Sequence, residues 1–369
     1  MQEPLVLTAY GNEIGQDKGI VIINNKQKNV LPIDGKANIC IQDNNILYVP
    51  VKEKEANYIY IYHEFNNLLT LVGKYYVNHF YSYGFKKDDN LFLASFEDGV
   101  DAIFNLASYK EISIFTHTPN NYAQKGRSHY IGFNKKENVY FSVDNALQEV
   151  YLLQIDNHRL KLKYRKKFKN ENIRLISYSS YSNKYYMNTE ISNKIYVLDI
   201  KNNKIIIENE YSLTYNQGAF SGGNAISKDG KRLCITLRGS NILLYYEIHQ
   251  DGTLSLLSKI SCGQMPRDAM FKESNLYITC TLSNNIEVYK EVNKRLVKEQ
   301  SISVENPITF SLINGWFWKL LYFYYFSLSI FKEIFFDYLN IKMNLIIKKK
   351  IFLLLNENEN SMFCIEFFL

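Results

Sequence analysis

Short apolar runs of one kind recur along most of the chain at a nearly constant spacing. LVLTAY, ILYVPV, LFLASF, VYFSVD, YYMNTE, LCITLR and LYITCT each read as a strand, centred on Leu7, Tyr48, Phe92, Tyr140, Tyr186, Cys234 and Tyr277. The centres are separated by 41, 44, 48, 46, 48 and 43 residues, the length of a four-stranded propeller blade. Seven such strands predict seven blades.

The strands around each centre complete the unit. SHYIGF, IRLIS, GGNAIS and PRDAMF precede the later centres, and pairs such as EVYLLQI and RLKLKY follow them. The first centre has no room for a preceding strand, whereas the last repeat is followed by a spare one, ENPITF. Pairing the spare strand with the first blade would close the ring and leave no open edge there. The expected fold is therefore all-β, a seven-bladed β-propeller over residues 1–312 closed by its N- and C-terminal strands.

Residues 313–369 form an atypical tail. INGWFWKLLYFYYFSLSIF and IKMNLIIKKKIFLLL carry both tryptophans and neither the repeat nor its turns. The apolar run Leu320–Phe331, 12 residues long, is short of the roughly 20 that a spanning helix needs. The tail is built of residues that A+T-rich DNA encodes by default. We read it as a frameshift or read-through in preference to an interfacial anchor, so no membrane partner is expected unless the tail is genuine.

Composition agrees with many short strands, since 30 Tyr and 23 Phe accompany only 6 Pro. The net charge of +6 implies a mild attraction for anionic substrates, and the basic run Lys161–Asn170 reads as a solvated hairpin, so no nucleic-acid partner is expected. Five cysteines, odd in number and without a CxxC pair, point to reduced thiols. The acidic opening MQEPLVLTAYGNE lacks the features of a signal peptide, and the expected compartment is the cytoplasm. No ligand-spaced cluster suggests a metal or other cofactor. Oligomeric state is left open.

In a propeller, the start of each inner strand and the end of the second strand lie at the same channel mouth. His129, Arg174 and Arg267 each lie 10 to 12 residues before a strand centre, and Asp144, Glu190 and Arg238 each lie four after one. The spacing thus predicts six ionisable residues from four consecutive blades at one rim.

These stretches resemble the propeller lactonases, which include one type of 6-phosphogluconolactonase and a carboxymuconate cyclase. LTAYGNEIGQDKGIVIIN is similar to the family's opening. RSHYIGFN, IRLISYSSYSNKYYMNTE, SKDGKRLCITLRG and MPRDAMF are similar to later segments in the same order. The resemblance puts His129, Arg174, Glu190 and Arg238 on the residues that the family uses in chemistry. It gives Arg267, with Arg127 and Asp144, to substrate binding. The family pattern is departed from at Leu175, Leu237, Cys280 and Thr281, which are expected at or near the rim.

The resemblance implies hydrolysis of 6-phosphogluconolactone, a phosphosugar lactone of the pentose phosphate pathway. Lactone hydrolysis needs a positioned water, a base and positive charge for the oxyanion, so a metal-free mechanism is expected. His129 or Glu190 would be the general base, with Arg174 and Arg238 holding the oxyanion. The alternatives are a lactonase or cycloisomerase on another sugar or acid, and a non-catalytic binding scaffold.

Overall fold

In a computed structural model, the residues described are 4–12, 14–24, 27–65, 68–118, 125–213 and 218–313. They form seven antiparallel sheets arranged as the blades of a propeller. The fourth blade shows the pattern: Ser128–Asn134, Val139–Asp144, Glu149–Asp156 and Arg159–Lys167 follow one another from the innermost strand to the outermost. Innermost strands of neighbouring blades meet around the central channel.

Asparagine-rich turns make this connectivity cheap in sequence. Asn157–His158, Asn202–Asn203 and Asn293–Lys294 each join a third strand to its outer neighbour, and both residues of each pair have positive φ. Such two-residue turns match the right-handed twist of the strands they connect.

The ring closes as its spare strand requires. Pro307–Phe310 pairs antiparallel with Leu5–Ala9, whose other neighbour is Gly19–Asn24. The pairing then runs one residue past the expected end at Leu312, because Leu312–Ile313 lies parallel against Ile41–Gln42 of the second blade. The chain divides into Met1–Asn314 and Gly315–Leu369. The second unit, and with it the reading of the tail, lies outside the described residues.

Seven apolar clusters hold the ring, one between each pair of adjacent blades. Strand alternation explains them, since successive side chains face opposite neighbours. Tyr185 and Met187 pack toward the fourth blade, while Tyr186 packs toward the sixth. The same test exposes a slip in the sequence repeat. Tyr48, Phe92, Tyr186, Cys234 and Tyr277 face the following blade, but Leu7 and Tyr140 face the preceding one. Their equivalents are Val6 and Phe141, which pack forward.

Candidate active site

Five of the inner strands carry the same irregularity at the same place. The pairing with the second strand shifts at His129, at Arg174, across Gly222–Gly223, at Arg267 and at Ile308. Each shift is a β-bulge, in which an extra residue leaves the ladder and its side chain is re-aimed. Three of the five bulges project a residue that the sequence had marked as chemical.

The bulges also fix the register of the second strands. Asn145, Glu190 and Thr281 send their amide N–H to the carbonyls of Arg127, Asn172 and Met265, at 3.0, 2.6 and 3.2 Å. Tyr10 does the same to Asn306 at 3.1 Å. Arg238, paired with Phe220 ahead of its bulge, occupies the same station. Tyr10, Asn145, Glu190, Arg238 and Thr281 are thus equivalent residues at one end of the channel.

Asp144 does not belong to this set. It is fully buried: one oxygen accepts the Leu147 amide at 2.6 Å, and the other accepts the Arg127 amide and lies 2.8 Å from His117 Nδ1. The one-residue slip at Tyr140 moved the expected rim position from Asn145 to Asp144, and a slip of one turns a strand residue to the other face. Asn145 is the residue the sequence reading missed. Placing the centre on Phe141 would have found it.

The cluster itself is tightly connected. Arg174 Nη1 donates to His129 Nε2 at 2.9 Å and lies 3.5 Å from Glu190 Oε1. Arg174 Nε donates to the Gly222 carbonyl at 3.1 Å, across to the sixth blade. Arg238 Nη2 donates to Glu190 Oε1 and, at 2.9 Å, to the Ser221 carbonyl, with its guanidinium over the Phe220 ring. Asn145 Nδ2 donates to Glu190 Oε2 at 3.1 Å. The structure thus brings together His129, Arg174, Glu190 and Arg238 from three blades, with Asn145 as a fifth member.

Burial sets the protonation states. It pushes the His129 imidazole down, Arg174 beside it pushes further, and the group reaches about 3. Burial would raise Glu190, but the Arg174 and Arg238 guanidiniums outweigh it and take the carboxyl to about 2. Arg174 is lowered to about 9 by burial and then by Arg238, which leaves it charged at neutral pH. A neutral histidine, one carboxylate and two guanidiniums leave the cluster with one positive charge. Among the described residues His129 Nδ1 and Arg238 Nε are buried without a hydrogen-bond partner, which in a native interior asks for an explanation such as a ligand.

Residues 36–311 match the family described as Lactonase, 7-bladed beta-propeller. The chain belongs to this lactonase family. No curated protein matches the sequence. Among solved structures, this lactonase-family propeller is similar to a protein from Lactobacillus plantarum at 16% identity and a TM-score of 0.75, covering 84% of this chain and 99% of that one. A candidate 6-phosphogluconolactonase from Bacteroides fragilis aligns at 14% identity and 0.72, covering 84% and 97%. The periplasmic gluconolactonase of Pseudomonas aeruginosa aligns at 16% and 0.70, covering 83% and 98%. At these identities the structural likeness speaks for the fold alone.

Around the cluster, Arg267 is half-buried at its bulge and makes no ion pair among the described residues. Its charge is felt at Tyr10, Arg174 and Arg238. Arg127 is exposed, with its guanidinium 5.3 Å from the Phe96 ring, and Phe96 in turn meets the His129 ring edge-on at 5.4 Å. Asp268, next to Arg267, is raised to about 6 by burial, against the amides of Phe310 and Ala269 that it accepts.

The family departures fall mostly away from the rim. Leu237 and Cys280 are fully buried and pack between blades. Leu175 is half-buried on its inner strand. Thr281 holds a rim station, but its hydroxyl is given to the Pro307 carbonyl at 2.7 Å. Among the described residues no group of three or more His, Cys, Asp or Glu could hold a metal ion, and no helix is long and apolar enough to cross a membrane.

Proposed function

We propose that the chain hydrolyses the lactone of a sugar acid, with 6-phosphogluconolactone as its first substrate. The observation that carries this reading is the cluster of Arg174, His129, Glu190 and Arg238 at the channel mouth. Two guanidiniums face the place where an ester carbonyl would gain negative charge, and their planar donor forks suit a carboxylate or an oxyanion.

Hydrogen bonding favours His129 as the base. Glu190 accepts from Arg238 and Asn145 and lies 3.5 Å from Arg174, so both its oxygens are engaged. Its role is to hold the two arginines apart and aligned. His129 stays neutral, and among the described residues its Nε2 meets Arg174 alone. A substrate carbonyl that draws Arg174 onto itself frees this nitrogen to take a proton from water. Hydroxide then adds to the carbonyl carbon, and the tetrahedral oxyanion sits on Arg174 and Arg238. On collapse the bond to the ring oxygen breaks, and that oxygen receives the proton from the imidazolium. The products are an alcohol and a carboxylic acid, which gives its proton to water and leaves as the carboxylate.

Excess positive charge, from the cluster and from Arg267 and Arg127, supports an anionic substrate. Free thiols at Cys40, Cys234, Cys262 and Cys280 support a reducing compartment, and we place the protein in the cytoplasm. Acid release from 6-phosphogluconolactone and from gluconolactone, followed at constant pH, tests the reading. Turnover of neither above the spontaneous rate would return the chain to the class of binding scaffolds.

A further inference from the structure

One cavity opens on the same face of the ring as the cluster. Its volume is about 270 Å³, and it is lined by Ala9, Tyr10, Lys18, Gly19, Ile33, Gly35, Lys36 and Ala37. The topology places it at the mouth, because Tyr10 holds a rim station, Gly19 begins the strand that returns from it, and Lys36–Ala37 pairs with the end of Ile46–Lys52.

Its lining carries two cations and no carboxylate, while Glu97, paired with Lys52, also acts on Tyr10. Neither Lys18 nor Lys36 has a carboxylate partner among the described residues. The Lys36 ammonium lies 5.4 Å from the centre of the Tyr10 ring and 5.9 Å from that of Phe80. Arg267 is near enough to act on Tyr10 from the seventh blade. Gly19 and Gly35 let neighbouring backbone approach closely here, since a Cβ at either would strike it within 2.5 Å.

We propose that this cavity is a second subsite, which seats the phosphate monoester at the far end of the substrate while the lactone carbonyl lies on Arg174 and Arg238. The assignment rests on the lactonase reading above. The space is below the roughly 300–1,000 Å³ of a pocket that encloses a whole ligand, and it suits a terminal oxyanion. Lys18 and Lys36 supply point charges, with Arg267 between this cavity and the cluster. The seat then selects phosphorylated over neutral sugar lactones.

The test compares kcat/KM for 6-phosphogluconolactone with that for gluconolactone in wild type, Lys18→Ala, Lys36→Ala and the double variant. Lys228→Ala, in a separate cavity lined by other residues, serves as the control. Calorimetric titration with 6-phosphogluconate, gluconate and inorganic phosphate supplies a readout apart from turnover. The expected result is a ratio that falls roughly tenfold for each lysine, the scale of losing one charge-assisted contact. Affinity for 6-phosphogluconate should fall in parallel, with no change in the control. An unchanged ratio in the double variant, or gluconate binding as tightly as 6-phosphogluconate, would overturn the subsite. If wild type turns over neither lactone, the lactonase reading fails, and the titration alone decides: lysine-dependent binding of 6-phosphogluconate upholds the seat, and lysine-independent binding removes it.

Discussion

Arg174 Nη1 donates to His129 Nε2 at 2.9 Å, so a guanidinium covers the nitrogen that would have to accept the proton. Burial, and after it that contact, keeps the imidazole neutral far below its ordinary range, at about 3. Turnover should therefore show no histidine limb near pH 6.5, and kcat/KM should be flat from about pH 5 to 8. His129→Ala should lower kcat by 10²- to 10⁴-fold, the usual contribution of a general base. A limb centred near 6 that vanishes in Asp268→Asn would instead give the proton to Asp268, whose carboxyl is raised to about 6.

Arg238 ends its strand by giving one nitrogen to Glu190 and to the Ser221 carbonyl while stacking on Phe220. A lysine has a single ammonium and no planar face, so Arg238→Lys cannot keep all three contacts. We expect kcat/KM to fall on the order of 10²-fold, as for loss of one preorganised donor. The secondary-structure spectrum should stay native. Wild-type turnover by this variant would separate Arg238 from the chemistry.

His117 is completely buried between two carboxylates, 2.8 Å from Asp101 through Nε2 and 2.8 Å from Asp144 through Nδ1. Burial opposes its charge, but the two aspartates win and raise it to about 9. Because the folded value lies above the unfolded one of 6.5, the stabilisation is fully present below pH 6.5. It is lost as pH rises through 9. His117→Gln leaves two buried carboxylates unpaired and should cost about 3–5 kcal/mol. Melting of both proteins across pH should show the gap widest near pH 6 and narrowing toward pH 9; a constant gap would deny the imidazolium.

Closure depends on four residues near the end of the ring. Pro307–Phe310 fills the inner edge of the first blade, and its carbonyls at Pro307 and Ile308 take the hydroxyls of Thr281 and Thr279. A chain stopped before Glu305 exposes that edge and should lose its cooperative melt and aggregate. A chain stopped at Asn314 should melt as the full chain does. The opposite outcome would mean that closure is not what holds the ring.

The repeat spacing made the fold legible because blade length is imposed by geometry, and a short apolar run marks each strand that is buried on both faces. It could not locate the bulges. A bulge adds one residue without changing the apolar pattern on either side, so Tyr140 and Phe141 are equally plausible centres in sequence, and only their packing against the third and fifth blades separates them. The arginines survived this ambiguity because Tyr186 and Cys234 are true equivalents. Asp144 did not, and Asn145 was hidden behind it. The cavity was marked only on one side, since Lys18 lies in the opening stretch LTAYGNEIGQDKGIVIIN and Lys36 in no motif.

The bulges at His129, Arg174, Gly222–Gly223, Arg267 and Ile308 recur at one height in five neighbouring sheets. At His129, Arg174 and Arg267 the residue outside the ladder has no cross-strand partner on the second strand, so its side chain can change without shifting the register of the strands. Such a ring offers a set of interchangeable sockets in which new chemistry can be tried one sheet at a time. Divergence of substrate within a common architecture is then a matter of re-equipping the sockets, which lets sequences drift far apart while the wheel that carries them keeps its form.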